Sequence, residues 1–80
     1  MFYAYVIKSI NNDFYYRGHC KDIEKRLSQH NSGMTASIKR YAPFKVAYFE
    51  EFETIDEAIK REKYFKTAAG RRYLKNKLVP

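Results

Sequence analysis

Cys20 is the only cysteine in the 80 residues, so no intramolecular disulfide can hold this chain and its stability has to come from packing. The material for that packing is aromatic. Eight Tyr and six Phe, within a hydrophobic share of 45%, set the chain apart from a disordered tail. At this length there is room for one core, and residues 1–80 are expected to form a single domain. No window approaches the ~18 apolar residues of a membrane span. The amino terminus also lacks the charged segment, apolar run and small-residue cleavage site of an export signal. The expectation is a reduced, soluble, cytoplasmic protein, a monomer or weak dimer with no membrane contact.

Charge is unevenly distributed. Residues 1–59 carry as many acidic as basic side chains, whereas residues 60–80 hold Lys60, Arg61, Lys63, Lys66, Arg71, Arg72, Lys75 and Lys77 against Glu62 alone, and so carry the whole net charge of +7. A one-sided basic segment concentrates polyanions, of which nucleic acid is the commonest. A solvated helix face is the plainer reading of the same charges.

Phe2 to Ile7 is aromatic and β-branched on both alternating faces, as a covered strand requires. Asn11-Asn12-Asp13 offers turn chemistry before a second run, Phe14-Tyr15-Tyr16, which Gly18 is expected to end, giving an antiparallel hairpin. Asp22 is a candidate N-cap for a helix over Ile23 to His30, where Ile23 and Leu27 share a face. Asn31 to Pro43 is polar and without period, a loop. Phe44 to Phe52 reads as a third strand that starts just after a proline. Thr54 and Glu57 have the spacing of a capping box, Thr54 bonding forward and Glu57 reaching back, ahead of a second helix. Gly70 is expected to close that helix or to separate it from a short third one, Arg71 to Leu78. The expected fold class is α+β: a three-stranded antiparallel sheet flanked by helices, in the order β-β-α-β-α-α.

Some residues break their local pattern. On the second helix the apolar stripe Ile55, Ala58, Ile59 continues at Glu62 before Phe65. An unpaired buried carboxylate costs several kcal/mol, so Glu62 has to meet a cation, meet a metal or open into a cleft. Arg26 and His30, four apart, flank the Ile23/Leu27 stripe on the first helix, where a snorkelling arginine and a half-buried imidazole are the bland readings. Tyr3 and Tyr5 share a face of the first strand and Tyr16 lies on the second; core aromatics with satisfied hydroxyls are the ordinary outcome. His19-Cys20 lacks zinc spacing, no nucleotide-binding or hydrolase-elbow motif is present, and nothing orients Cys20 and His30 as a nucleophilic pair.

Two tyrosine-bearing strand motifs followed by D-x-x-x-R-x-x-x-H resemble a GIY-YIG nuclease domain. Tyr3-Ala4-Tyr5 stands for the first tripeptide and Tyr16-Arg17-Gly18 for the second, with Tyr5 and Tyr16 eleven residues apart. Lys21 to Gly33 and Ala58 to Lys66 resemble the motifs that follow. The resemblance covers nearly the whole chain and is strongest to small stand-alone bacterial members related to the nuclease domain of the excinuclease C subunit, with DNA repair as the implied setting. The first tripeptide has neither Gly nor Ile, and Arg17 replaces the usual Ile of the second.

The resemblance implies an endonuclease that hydrolyses phosphodiester bonds of nucleic acid, DNA being the expected substrate, with Tyr5, Tyr16, Arg26, His30 and Glu62 as the active-site set. Glu62 would hold Mg²⁺ or Mn²⁺, and Arg26 would fork onto the scissile phosphate. Tyr5 would orient or deprotonate the attacking water, its phenol pKa lowered by nearby cations. Tyr16 would bond phosphate or water, and His30 would serve as auxiliary base or phosphate donor. Lys39 and Arg40 on the loop, with Arg71, Arg72 and Lys75 on the third helix, would follow the nucleic-acid backbone. A nucleic-acid-binding module that has lost catalysis is the alternative, and a protein-interaction adaptor on the same fold is a third class.

Overall fold

A computed structural model describes residues 1–78. Two strands, β1 (Phe2–Ser9) and β2 (Tyr15–Cys20), lead into helix α1 (Ile23–Asn31) and a 3₁₀ segment over Ala36–Tyr41. Strand β3 (Phe44–Phe52) and helices α2 (Ile55–Phe65) and α3 (Ala68–Leu78) complete the chain. The sheet is antiparallel in the order β2-β1-β3, so the α+β class and the order of its strands and long helices agree with the sequence reading.

The central place of β1 follows from its composition. Alternation sends Ala4 and Val6 to one face and Tyr5 and Ile7 to the other, and all four are buried. Ala4 and Val6 pack with Phe65 of α2 and Leu74 of α3. Tyr5 and Ile7 pack with Ile38 of the 3₁₀ segment and Phe44, joined by Tyr16, Cys20 and Leu27. One layer of helix therefore covers each face.

The caps form where the sequence put them. Asp22 accepts from the Lys25 amide at 3.1 Å and Thr54 from the Glu57 amide at 3.2 Å. The return half of the second cap differs: the Glu57 carboxylate accepts from the Thr54 hydroxyl at 3.0 Å, a side-chain closure in place of the expected bond back to the backbone.

Three boundaries depart from expectation. Gly18 does not end β2, which continues to Cys20. Gly18 is the register partner of Tyr5, and a Cβ there would stand 2.5 Å from the Tyr5 hydroxyl, so its small size makes room for a ring. The polar stretch 31–43 is not all loop, since buried Ile38 anchors the 3₁₀ segment against the sheet. Gly70 neither closes α2 nor separates two helices; it lies inside α3, where a Cβ would stand 1.8 Å from the Tyr64 carbonyl oxygen.

Part of the basic tail is structural. Arg61 donates to Glu50 through Nε (2.6 Å) and Nη2 (3.3 Å), while the Tyr48 and Tyr73 hydroxyls donate to the same carboxylate. The guanidinium also lies over the rings of Tyr64 and Tyr73, 4.6 and 4.7 Å from their centroids. Helix propensity alone would have Gly70→Ala stabilise α3 by about 1 kcal/mol. The contact with Tyr64 reverses the sign, and a chemical denaturation series is expected to show a loss of about 2–3 kcal/mol for Gly70→Ala, with the exposed Arg72→Ala close to wild type.

Candidate active site

Tyr5, Arg26 and His30 come together between β1 and α1. The helical spacing of Arg26 and His30 brings both over the α1 face of the sheet, where Gly18 leaves space for the Tyr5 ring. The Tyr5 hydroxyl lies 2.8 Å from His30 Nε2, and Arg26 Nε donates to that hydroxyl over 3.4 Å. Arg26 Nη1 is held by Gln29 Oε1 at 3.0 Å. Beyond the imidazole, Thr35 Oγ1 lies 3.0 Å from His30 Nδ1. The Tyr16 ring lies beside His30, centroids 5.1 Å apart. Four of the five residues assigned from the sequence thus form one cluster.

Burial controls the acid–base character of this cluster. Tyr5 is 2% and His30 0% exposed. Burial pushes the Tyr5 phenol up to about 12, partly opposed by the bond and charge of Arg26. This corrects the expectation of a lowered phenol pKa. Burial, helped by the Arg26 charge, holds His30 below the usual histidine value, so it is neutral at pH 7. Because Arg26 donates to the Tyr5 oxygen, the phenolic proton is left to point at Nε2, which puts the imidazole proton on Nδ1 toward Thr35. With both nitrogens engaged inside the core, His30 has no free donor to offer a phosphate. The expected phosphate-donor role is therefore not built into this arrangement.

Glu62 lies elsewhere. Along β2 the side chains alternate, so Tyr16, Gly18 and Cys20 share the face of Tyr5, while Tyr15, Arg17 and His19 face α2 and α3. Glu62, on α2, accepts from His19 Nδ1 at 2.7 Å and Lys66 Nζ at 2.8 Å. Burial would raise its pKa, but Lys66 and His19 outweigh that and hold the carboxyl below the usual range. Glu62 is thus ionised, with 17% of its side chain exposed. Among the described residues no group of three or more His, Cys, Asp or Glu could cage a metal ion. A lone ionised carboxylate at a partly open position still fits Mg²⁺, which keeps most of its waters and takes few protein ligands.

The two halves meet at the end of β2. Cys20 lines an open groove with Arg26, Gln29, Tyr3, Phe49 and Glu51, while the preceding residue, His19, bonds Glu62 on the other face. Because β2 is an edge strand, Arg26 and Glu62 flank the same His19-Cys20 position from its two sides. The assigned backbone-tracking residues do not gather. Lys39 and Arg40 project from the 3₁₀ segment on the α1 side, and Arg71, Arg72 and Lys75 from α3 on the opposite side. Sequence reasoning missed Thr35, Gln29 and His19. Alternation from Gly18 could have placed His19 on the α2 face, but nothing local announced Thr35.

No helix among the described residues is long and apolar enough to cross a membrane. Residues 1–76 match the family model described as the GIY-YIG catalytic domain. The UPF0213 protein SSP2268 of Staphylococcus saprophyticus is 39% identical over 74 residues, covering 91% of this chain and 89% of that protein. The UPF0213 protein lwe0147 of Listeria welshimeri is 42% identical over 65 residues, 80% of this chain and 71% of its own length. The UPF0213 protein CPE1444 of Clostridium perfringens is 40% identical over 67 residues, with 82% and 71% covered. No solved structure gives a significant match. A family match spanning almost every residue, on a hairpin that carries Tyr5 and Tyr16 to Arg26 and His30, makes this chain a member of the GIY-YIG nuclease-type family.

Proposed function

We propose that the protein is a divalent-metal-dependent endonuclease acting on nucleic acid, DNA first. The observation that carries this reading is the Arg26–Tyr5–His30–Thr35 chain of hydrogen bonds, which joins a fixed cation to a proton path. Hydrolysis forms a bond from a water oxygen to phosphorus and breaks one bond from phosphorus to a sugar oxygen. One proton must leave the attacking water, and the departing alkoxide must gain one from solvent.

The attack and the charge it builds each have a group suited to them, and the departing alkoxide takes its proton from solvent water. Arg26, always protonated, has N–H groups beyond those given to Tyr5 and Gln29 with which to hold a phosphate oxygen at the groove. A phenol at about 12 is a poor base at neutral pH, but it can pass its proton to neutral His30 while taking one from water. His30 is in the form that can accept, and Thr35 holds its tautomer. Tyr16, beside His30, borders the path on the same face. Glu62 would hold the Mg²⁺ or Mn²⁺, which when bound neutralises charge on the phosphate and leaving oxygens. His19 and Lys66 keep that carboxylate ionised and oriented.

One observation favours a second reading, binding without cleavage: both Glu62 oxygens are already engaged, by His19 and Lys66. The two readings separate in a cleavage assay with branched, nicked and single-stranded DNA in Mg²⁺ or Mn²⁺. The nuclease reading expects cuts that EDTA abolishes, with Arg26→Ala and Glu62→Ala each lowering the rate by about 100-fold or more. Salt-dependent binding with no metal-dependent product supports the second reading.

Buried neutral His30 also sets a pH dependence. Its folded pKa is lower than its unfolded one, so the stability it contributes is complete above about pH 6.5 and is lost as the pH falls through its folded value. In an NMR titration His30 is expected to titrate below the ordinary histidine value. The melting temperature should fall less between pH 7 and pH 5 in His30→Gln than in the wild type.

A further inference from the structure

Arg17 is the one buried side-chain donor without a partner among the described residues: its Nε is shielded from solvent and bonds nothing. The neighbouring basic groups are better satisfied. Arg61 pairs with Glu50, and Lys66 and His19 pair with Glu62, so the carboxylates α2 and β3 present to this face are taken. Arg17 lies opposite Val6 in the β1–β2 register. Val6 packs with Leu74, and Arg71 sits one turn before Leu74 on α3. Arg17 and Arg71 are thus on the same face of the sheet, and among the described residues neither makes an ion pair with an acid. Burial first, and then the Arg71 charge, holds Arg17 below the usual arginine value, the electrostatic mark of that crowding.

An unpaired buried N–H beside a like charge is costly, and an isoleucine or valine at position 17 would suit a strand packed on Val6, Phe65 and Leu74 better. A ligand of the opposite sign that offers a pair of acceptor oxygens would offset that cost. The geometry points to a phosphate-binding subsite formed by Arg17 and Arg71 on the α2–α3 face of β2, next to His19 and Glu62. Guanidiniums bind phosphate through parallel N–H bonds. The subsite is separate from Arg26, which faces the other side of the strand, and Lys75, one turn beyond Arg71, extends its basic flank. Only the source of the phosphate rests on the nuclease reading: a backbone diester away from the cut, or a terminal phosphomonoester.

The test begins without nucleic acid or metal. Thermal melts of the intact protein in inorganic phosphate, against chloride at matched ionic strength, should show phosphate raising the wild-type melting temperature. The rise should be lost in Arg17→Ile and reduced in Arg71→Ala, whose exposed position leaves the fold intact. In chloride, Arg17→Ile should melt no lower than the wild type. With EDTA present to prevent cleavage, Arg17→Ile should bind a DNA duplex about 5- to 10-fold more weakly and lower the salt slope by about one. A loss seen equally with hydroxyl and phosphate ends assigns a backbone diester; a loss confined to 5′-phosphorylated ends assigns a monoester. Phosphate shifting wild type and both variants equally overturns the subsite. Phosphate protection that depends on Arg17, in a protein that never cuts nucleic acid, would retain the subsite and remove the nuclease reading.

Discussion

The hydrogen bond between the Tyr5 hydroxyl and His30 Nε2, made inside the core at 2.8 Å, is the contact on which the rest of the molecule depends. It ties the central strand to the first helix, and it exists only because Gly18 leaves the neighbouring strand bare where the phenol lies. A buried hydroxyl and a buried imidazole would each be expensive alone; satisfied by each other, by Arg26 and by Thr35, they become a rigid polar thread through an aromatic core. The same burial sets their chemistry, raising the phenol and lowering the imidazole, so both are neutral at pH 7. Under the proposed function the site would therefore act as a proton path with a cation at its mouth rather than as a pre-ionised base.

The second constraint is the position of β2. An edge strand has one neighbour and two faces, and in this chain the faces differ chemically. One carries the aromatic and acid–base residues that meet α1; the other carries Arg17 and His19 toward the charged sides of α2 and α3. In a small domain this is economical, because one six-residue strand gives a groove on one side and a basic surface on the other. Arg61, by contrast, is locked into Glu50 and a ring of aromatics, so the tail's charge is divided between holding α2 and α3 to β3 and facing solvent.

Much of this could be read from the residues. The aromatic, β-branched runs gave the strands, Asp22 and Thr54 gave the helix starts, and helical spacing placed Arg26 beside His30, because these signals are local and periodic. Glu62 stood out as a carboxylate on an apolar stripe, and it does meet cations. What could not be read was non-local. A glycine that ends an element and one that admits a ring or a crossing helix look alike in sequence, which is why Gly18 and Gly70 do not mark the boundaries expected of them. Ile38 anchors its segment through one side chain, which has no period to detect. The sign of the Tyr5 shift depended on how far burial outweighs one nearby guanidinium, and that balance needs coordinates.

The proposed function requires that Arg26 and Glu62, on opposite faces of β2, serve the same phosphate. A double-mutant cycle on kcat/KM with Arg26→Ala, Glu62→Ala and the combined variant tests it most directly. Groups acting on one transition state should be strongly non-additive, the double variant being little worse than the poorer single one. Losses that simply multiply would show two independent sites and contradict the account.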